Sequence, residues 1–311
     1  MYIPPLVEAG ARLGFGYARN QYGLRDRRPP SRFISRTISF LAARRESQVV
    51  ETEMSGLQVL VSTSDRTIAR SVYTSGDWDP LLVGSVFRAL DAIGEPYRGR
   101  TFLEVGANFG VYALPAVAEY GFARAVAYEP DPVSFELLER NIERNGLGDR
   151  VSAHNAALSS SAGQLTLKLG SRNAGDNRIV AGADDEPDTV SVPARTFDEE
   201  VAAGRIPLSD LGLVWLDVQG HEREVLLGAN TLLASDAPMV MEYATAMVEP
   251  KVRRQLDELI ADCFDVMVDI GWSTLTDRVR FQPASAVRDL APNGRAVETD
   301  LLLLHRRDRT A

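Results

Sequence analysis

The sequence has few of the residues that build disulfides or zinc sites. Its 311 residues include a single cysteine, Cys263, and three histidines. One thiol cannot form an internal disulfide, and one thiol with three histidines leaves no zinc-type ligand cluster. A secreted disulfide framework and a structural zinc site are therefore excluded.

Long apolar runs are also missing. No stretch approaches the roughly 18 apolar residues needed to cross a bilayer, and the N-terminus lacks the charged-then-apolar order of a signal peptide. We therefore expect no integral membrane segment and, by default, a cytoplasmic location.

Positive charge is scarce except at the N-terminus. The net charge is −9 and the isoelectric point is near 5.0, which argues against nucleic acid as the main partner. Residues 1–46 nevertheless carry nine arginines against three acids. This basic arm could touch an acidic membrane surface, nucleic acid or the protein's own acidic body, and a loosely docked arm is the simplest interpretation.

Hydropathy divides the chain into two regions. Residues 1–95 form an N-terminal extension in which residues 57–62 alternate like a strand and a following helical pattern is interrupted at Gly76. From residue 100 onward, short apolar runs alternate with helical patterns, as is typical of βαβ units and a parallel sheet. Residues 96–311 are thus predicted to form one α/β domain, with an unusually long connection at 159–196.

Several short signals place the elements of this domain. The predicted strands are, in chain order, TFLEVG, AVAYEP, VSAHNAAL, LVWLDV, PMVMEY, FDVMVDI and DLLLLH. Asp131 can cap the helix after the second strand, and Thr196 with Glu199 has the spacing of a capping box. Ligands of open α/β sheets bind at the carboxyl edge of the parallel strands, so the loops there are searched for functional residues.

The first of these loops contains glycines. Glu104-Val105-Gly106-Ala107-Asn108-Phe109-Gly110 is an acid followed by a turn into a helix, and its glycines allow the backbone to approach a ligand closely. A dinucleotide fingerprint would need glycines at 108 and 111, where the chain has Asn108 and Val111. An NAD-dependent oxidoreductase is therefore disfavoured, although it stays open as an alternative.

Acidic residues end two further strands. Glu129 lies about 20 residues after the glycine turn, where a carboxylate can accept hydrogen bonds from both ribose hydroxyls. Asp217 and Gln219 end the fourth strand and point to one side of the extended chain. Acids at three strand ends, without Lys or Arg among the turns, predict a pocket for a cationic nucleoside such as S-adenosylmethionine.

In this order and spacing, the segments FLEVGANFGVYAL, AYEPDPVSFELLERNIERN, HNAALSSSAG and WLDVQGHEREVLLGA resemble the FkbM family of S-adenosylmethionine-dependent methyltransferases. The resemblance covers about residues 70–245. It implies a class I methyltransferase fold, which is an α/β Rossmann-like, mostly parallel sheet of seven strands with the last one antiparallel. It also implies O-methylation of a hydroxyl on a sugar, glycan or natural product.

The resemblance further implies roles for particular residues. The turn at Glu104, Gly106, Ala107, Asn108 and Gly110 would surround the methionine part of the cofactor, and Glu129 with Pro130 would hold its ribose. Asn155 and Ala156 would lie beside the adenine, and Asp217 near the methionine end or the acceptor. The family usually has an acid where this chain has Gln219, which puts in doubt any mechanism that needs an acid there.

Catalysis of methyl transfer needs an aligned acceptor, exclusion of water and removal of one proton. His221 is the predicted proton acceptor because it follows the fourth strand and titrates near neutral pH; capping of the next helix is its structural alternative. Glu222 is expected to be a charge at that helix start. Glu242, at the end of the fifth strand, either lines the acceptor site or makes a structural pair.

The acceptor pocket is expected to be completed by the 159–196 connection and the N-terminal extension. Arg172, Asn173 and Asn177 are hydrogen-bonding side chains on a Gly-containing loop, although a solvated loop has the same composition. Tyr73 and Trp78 are lid candidates by the same resemblance.

The predicted partner is thus a small-molecule or glycan acceptor, and no metal is required. A homodimer stays possible. A methyltransferase-like protein that binds its ligand without turnover is the other alternative, and Gln219 is the feature that keeps it open.

Overall fold

The computed structural model describes residues 36–37, 39–41, 48–170, 174–180, 187–292 and 295–305. Within them, no helix is both long enough and apolar enough to span a membrane. The strands are β1 (Val49–Met54), β2 (Leu57–Ser62), β3 (Thr101–Val105), β4 (Arg124–Tyr128), β5 (Val151–His154), β6 (Ala157–Leu158), β7 (Gly163–Lys168), β8 (Arg178–Val180), β9 (Thr189–Arg195), β10 (Leu211–Leu216), β11 (Met239–Ala244), β12 (Val266–Asp269), β13 (Phe281–Pro283) and β14 (Glu298–Leu304).

The α-helices alternate with the strands of the main domain. They are α1 (Ile68–Ser75), α2 (Pro80–Ile93), α3 (Ala113–Ala118), α4 (Pro132–Arg144), α5 (Phe197–Ala202), α6 (Glu222–Leu227), α7 (Asn230–Leu233), α8 (Pro250–Cys263) and α9 (Ile270–Thr276). Three predicted helix signals are confirmed. Gly76 ends α1 in a left-handed conformation, Asp131 caps α4, and Thr196 forms a capping box with Glu199 at the start of α5.

The central sheet has eight strands in the order β13-β12-β14-β11-β10-β3-β4-β5. The five strands from β11 to β5 are mutually parallel, whereas β14 runs antiparallel to both β11 and β12. The expected mostly parallel α/β sheet with an antiparallel last strand is therefore confirmed. The short edge strand β13 pairs antiparallel with β12 and is an addition to the seven strands predicted.

One predicted strand is divided. VSAHNAAL was expected to be a single strand, but it breaks at Asn155 into β5, which ends the central sheet, and β6, which begins a second sheet. This second sheet has the order β6-β9-β7-β8, so the long connection after residue 159 is mostly a small antiparallel sheet. The Gly-containing loop predicted around Asn177 is followed directly by strand β8.

The core lies on both faces of the central sheet because neighbouring residues of each buried strand point to opposite sides. Phe102 and Trp215 pack on one face together with the N-terminal hairpin β1-β2, and Leu103 and Leu216 pack on the other. The hairpin is tied to α4 by Asn141, whose side chain bonds the backbone of Leu60 in both directions. The described part of residues 1–95 thus shares its core with the main domain.

Candidate functional site

The loop after β3 is held in place by Glu104. Its buried carboxylate accepts hydrogen bonds from the backbone N–H groups of Tyr112, at 3.1 Å, and Ala113, at 2.6 Å, where α3 begins. Burial nevertheless raises the pKa of this carboxyl group well above its usual range. Both oxygens of Glu104 thus fix the loop after β3 against the start of α3.

Gly106 lies where the loop passes the end of β10. A Cβ atom at this position would come within 1.9 Å of the backbone oxygen of Asp217, and the φ of +91° is one that side-chain-bearing residues rarely adopt. The loop after β3 and the loop after β10 can therefore meet only if residue 106 is glycine.

Glu129 joins the ends of β3 and β4. Its carboxylate accepts from the backbone N–H of Asn108 at 2.7 Å and from that of Asp131 at 2.8 Å. Burial raises the pKa of Glu129 to about 8, because desolvation outweighs these two bonds. Each oxygen has lone pairs beyond the one that accepts a backbone N–H, so the Glu129 carboxyl group can also accept from hydroxyl groups of a ligand.

Asn155 and Asn177 surround the same strand end. The side-chain amide of Asn155 donates to the backbone oxygens of Glu129, at 2.8 Å, and of Pro130, at 3.1 Å. Asn177, from the long connection, donates to Asp131 at 3.2 Å. The described part of the connection therefore reaches Asp131, which follows the predicted ribose residues Glu129 and Pro130, whereas the sequence suggested the acceptor side. Ala156 is fully buried.

Asp217, Gln219 and Glu242 form a hydrogen-bonded group at the ends of β10 and β11. The amide nitrogen of Gln219 lies 2.8 Å from Asp217 Oδ1 and 2.8 Å from Glu242 Oε2. Desolvation and the Asp217 charge raise the pKa of Glu242 to about 10. Desolvation also raises the pKa of Asp217, against hydrogen bonds from Gln219 and Glu242. The pair therefore shares its protons, and both carboxyl groups hold a proton more tightly than an exposed carboxyl does.

Two more acids, Asp79 and Asp300, extend this group. Asp300 lies directly opposite Glu242 in the pairing of β14 with β11. Burial, followed by the charges of Asp217 and Asp79, raises its pKa well above the usual range. Asp79 precedes α2 with a left-handed φ of +41°.

Tyr112 connects these acids to an aromatic wall. Burial, and then the charges of Asp79, Asp300 and Asp217, raise the pKa of its hydroxyl well above the usual range. This hydroxyl accepts a hydrogen bond from Trp78 Nε1 at 3.0 Å. The ring of Tyr112 packs on Trp215 with centroids 4.1 Å apart.

Tyr112, Asp79 and Asp300 were not among the predicted site residues. Apart from the lid and connection candidates, the predicted residues all follow the carboxyl ends of parallel strands. Because β14 runs antiparallel, its first residues lie at the edge where the parallel strands end, so an acid at the start of the last strand is the signal that could have identified Asp300. Asp79 follows the lid candidate Trp78 directly in the sequence.

His221 is placed differently from the acidic group. It precedes α6 without capping it by its side chain, and its Nε2 lies 2.9 Å from the hydroxyl of Ser159. Burial lowers the pKa of the imidazole, so it is neutral at physiological pH. Glu222 accepts from the backbone N–H groups of Val218, at 3.2 Å, and Gly220, at 3.1 Å, and thereby shapes the loop after β10.

The remaining candidates separate into two groups. Trp78 belongs to the site because its indole N–H donates to the Tyr112 hydroxyl. Tyr73 instead packs against Phe40, with ring centroids 5.4 Å apart. Arg172 and Asn173 lie outside the described residues. In the part of the chain that is described, no three His, Cys, Asp or Glu side chains are arranged to hold a metal ion.

This edge of the sheet fits a cationic nucleoside. The glycine loop can approach a ligand closely, and Glu129 can accept from ribose hydroxyls. Asp217, Glu242 and Asp300 make no ion pair with a basic side chain of the described residues. A ligand with a sulfonium or ammonium group would favour the ionised forms of these carboxyl groups.

Comparison with known proteins identifies the family. Residues 104–263 match the methyltransferase FkbM domain. The methyltransferase sdnD of Sordaria araneosa is 28% identical over 195 residues, which cover 54% of this chain and 74% of that protein. The hexuronic acid methyltransferase AglP of Haloferax volcanii is 29% identical over 179 residues, covering 54% and 70% of the two chains.

Among solved structures, the methyltransferase FkbM of Methylobacillus flagellatus aligns with a TM-score of 0.36 and 13% identity, over 87% of this chain and 59% of that chain. The family match spans half of the present sequence and contains the loops after β3, β4, β10 and β11. The chain therefore belongs to the FkbM family of methyltransferases.

Proposed function

We propose that this methyltransferase binds S-adenosylmethionine at the carboxyl edge of β3, β4 and β10 and methylates a hydroxyl group of a sugar, glycan or natural product. The hydrogen-bonded group Asp217–Gln219–Glu242 carries the proposal. It supplies a carboxylate that can take up a proton at the point where the cofactor loop and the ends of β10 and β11 meet.

The cofactor would be held by residues of the chain in two places. Glu129 would accept from the ribose hydroxyls while Asn108 and Asp131 keep its carboxylate in position. The loop containing Gly106, Ala107, Asn108 and Gly110 would pass along the methionine part. Bound S-adenosylmethionine would supply an electrophilic methyl group.

The chain itself must orient the acceptor and remove its proton. Asp217 is the proposed proton acceptor, because Gln219 and Glu242 both donate to it and these hydrogen bonds favour its ionised form against desolvation. Trp78 and Tyr112 would exclude water from this side of the cleft. His221 is the second candidate for the same step, since its neutral imidazole lies in the loop after β10.

The acceptor assignment has support from one relative. AglP is named as a hexuronic acid methyltransferase, so one related protein acts on a sugar derivative. The acids and the aromatic wall at the ends of β10, β11 and β14 suit a polar acceptor with several hydroxyl groups.

The first experiment is isothermal titration of the full chain with S-adenosylmethionine, S-adenosylhomocysteine and NAD in parallel. Micromolar binding of the two adenosyl ligands without NAD is the expected result. Binding of NAD alone would contradict the proposal. Methyl transfer to simple glycosides would then be followed for the parent and for Asp217→Asn and His221→Gln.

These two variants distinguish the proton acceptors. We expect Asp217→Asn to abolish most turnover at every pH while S-adenosylhomocysteine still binds. His221→Gln should keep the pH profile of the parent. The reverse outcome would assign the proton to His221.

A further inference from the structure

The central sheet has an open edge at β5. This strand is the last one in the order of the sheet, and within the described residues only β4 pairs with it. A groove of about 480 Å³ lies between β5 and the C-terminal half of α4, and its apolar lining residues are Ile142, Val151 and Ala153. An open sheet edge with apolar surface beside it is a place where another segment of chain can bind.

The groove is also lined by three acids without a basic partner. Glu139, Glu143 and Asp149 are exposed, and none of them makes an ion pair with another residue of the described chain. Their negative charge is therefore available to a ligand of the groove.

The arginines next to these acids in the sequence are already engaged. Arg140 pairs with Glu136 at 3.6 Å, and Arg144 pairs with Glu51 of β1. Arg150 donates to three backbone oxygens at the end of α3 and before β4. The groove thus has an excess of negative charge, which repels phosphate groups and also repels the same groove of a second copy, but attracts a basic segment.

The chain has such a segment in its own N-terminal arm. Residues 19–35, which lie outside the described residues, contain five arginines and one acid, Asp26. The next residue, Arg36, is described. It donates to Thr52 of β1 at 2.5 Å and to the backbone oxygen of Tyr73 at 2.6 Å. The basic segment is therefore tethered at the hairpin β1-β2.

This tether lies close to the groove. The backbone of Gln58, in the same hairpin, exchanges hydrogen bonds of 3.0 Å and 2.8 Å with the side chain of Asn145. Asn145 directly precedes Gly146, which lines the groove. Seventeen residues can extend over roughly 55 Å, more than the width of a hairpin and one helix, roughly 20 Å. Attachment to the same chain also gives the segment an effective concentration in the millimolar range.

We propose that the arginine-rich segment at residues 19–35 docks in the acidic groove between α4 and β5 and covers the open edge of the central sheet. Its arginines pair with Glu139, Glu143 and Asp149, and its uncharged side chains cover Val151 and Ala153. The excess positive charge of the arm is then neutralised within the protein, without nucleic acid or a membrane surface. The inference does not depend on the proposed function.

The test measures whether the segment lies at the groove in the full chain. In a Cys263→Ser background, Ser31→Cys carries a nitroxide spin label, and the paramagnetic broadening of backbone amide signals is recorded at low salt. We expect strong broadening for Gly148 and Ala153, and none for Gly271 of α9 near the other edge of the sheet. Dilution should leave the broadening unchanged, because the contact is made within one chain. Absence of broadening at the groove, or its loss on dilution, would overturn the proposal.

Charge variants test the ion pairs. Glu139→Lys combined with Glu143→Lys should reduce the population of the docked segment about tenfold. Glu258→Lys combined with Asp289→Lys makes the same change of net charge at exposed acids elsewhere and should leave the broadening as in the parent. In about 1 M salt, where charges more than about 3 Å apart are screened, the parent should lose most of its broadening. Equal broadening in the two double variants would refute the assignment of the groove acids.

Discussion

The side-chain nitrogen of Gln219 donates a hydrogen bond of 2.8 Å to Glu242, and this bond joins the carboxyl ends of β10 and β11. The same nitrogen also donates to Asp217. An amide has two N–H groups, and here each serves one carboxyl group. Where the family usually has an acid, this chain therefore has a neutral donor that binds two acids together.

Replacement of Gln219 by glutamate tests this arrangement. Gln219→Glu keeps the size of the side chain but puts a third acid beside two others. A protonated glutamate at pH 5.5 still donates one hydrogen bond, so the loss of stability should be small there. At pH 8 we expect a loss on the order of 1–3 kcal/mol from unsatisfied and repelling carboxylates. Urea unfolding at the two pH values measures the difference, and an equal loss at both would contradict the prediction.

The acids of the ligand-free site should make the protein less stable as pH rises. The folded pKa is raised to about 10 for Glu242, about 8 for Glu129 and about 7 for Glu222, above the ordinary carboxyl value of 4.5. Between the unfolded and folded pKa values the unfolded chain binds fewer protons than the native one. Stability should therefore decline from about pH 5 to about pH 9, at up to about 1.4 kcal/mol per pH unit for each group.

Glu242→Gln should make this decline less steep. The glutamine cannot ionise, so one of the groups that release a proton on unfolding is removed. Urea unfolding across pH 5–9 measures the slope, with the exposed Glu258→Gln as control. A slope identical to that of the parent would show that Glu242 is already ionised in the folded protein.

The sequence predicted the strands and helix starts around this site better than the side chains that meet in it. Alternation and capping signals located β2 at its observed bounds and the start of α4 at Asp131. Such signals are local, because they depend on residues within one turn or one strand. The grouping of Asp79, Tyr112 and Asp300 depends on three segments far apart in sequence, and on the reversed direction of β14, which no local pattern encodes.

His221 illustrates the same limit. Its position after the fourth strand was predicted, but the direction of its ring depends on Ser159, which lies 62 residues earlier in the chain. VSAHNAAL also gives no local reason to divide. Asn155 interrupts the strand because its side chain turns back to the backbone of Glu129 and Pro130.

Glu200 should stabilise the protein with a pH dependence opposite to that of Glu242, because its contribution is lost as the pH falls. Its buried carboxylate accepts from Arg205 at 2.6 Å, from Tyr128 at 2.6 Å and from Arg195 at 3.4 Å. Although burial opposes it, these partners lower its pKa to about 2. The contribution should be complete above about pH 4.5 and lost as the pH falls toward 2.

Glu200→Gln should destabilise the protein by about 1–2 kcal/mol at pH 7, since it removes a charged acceptor from Tyr128 and the counter-charge of two arginines that are partly exposed to solvent. Urea unfolding of Glu200→Gln, with the exposed Glu258→Gln as control, measures this. An unchanged midpoint for Glu200→Gln would show that the network adds no net stability.

Gly106→Ala should damage both the fold and the cofactor site. The new Cβ would overlap the backbone oxygen of Asp217, and alanine is strained at the observed φ. We expect a destabilisation on the order of 3 kcal/mol. The molecules that stay folded should also bind S-adenosylhomocysteine more weakly. Gly148→Ala is the matched control, because no atom lies within 4 Å of a Cβ there. Equal unfolding midpoints for the two variants would refute the close approach of the two loops.

Glu129→Gln tests the proposed ribose contact. The glutamine keeps one oxygen that can accept from Asn108 or Asp131 but loses the charge and one acceptor. Because hydrogen bonds to an ionised acceptor are the stronger ones, we expect the affinity for S-adenosylhomocysteine to fall by about 1–3 kcal/mol, which is roughly fivefold to 160-fold. Glu139→Gln, on the exposed side of α4, is the control. If titration calorimetry gives the same affinity for both variants, the carboxylate of Glu129 positions the loop alone and the ribose must be held elsewhere.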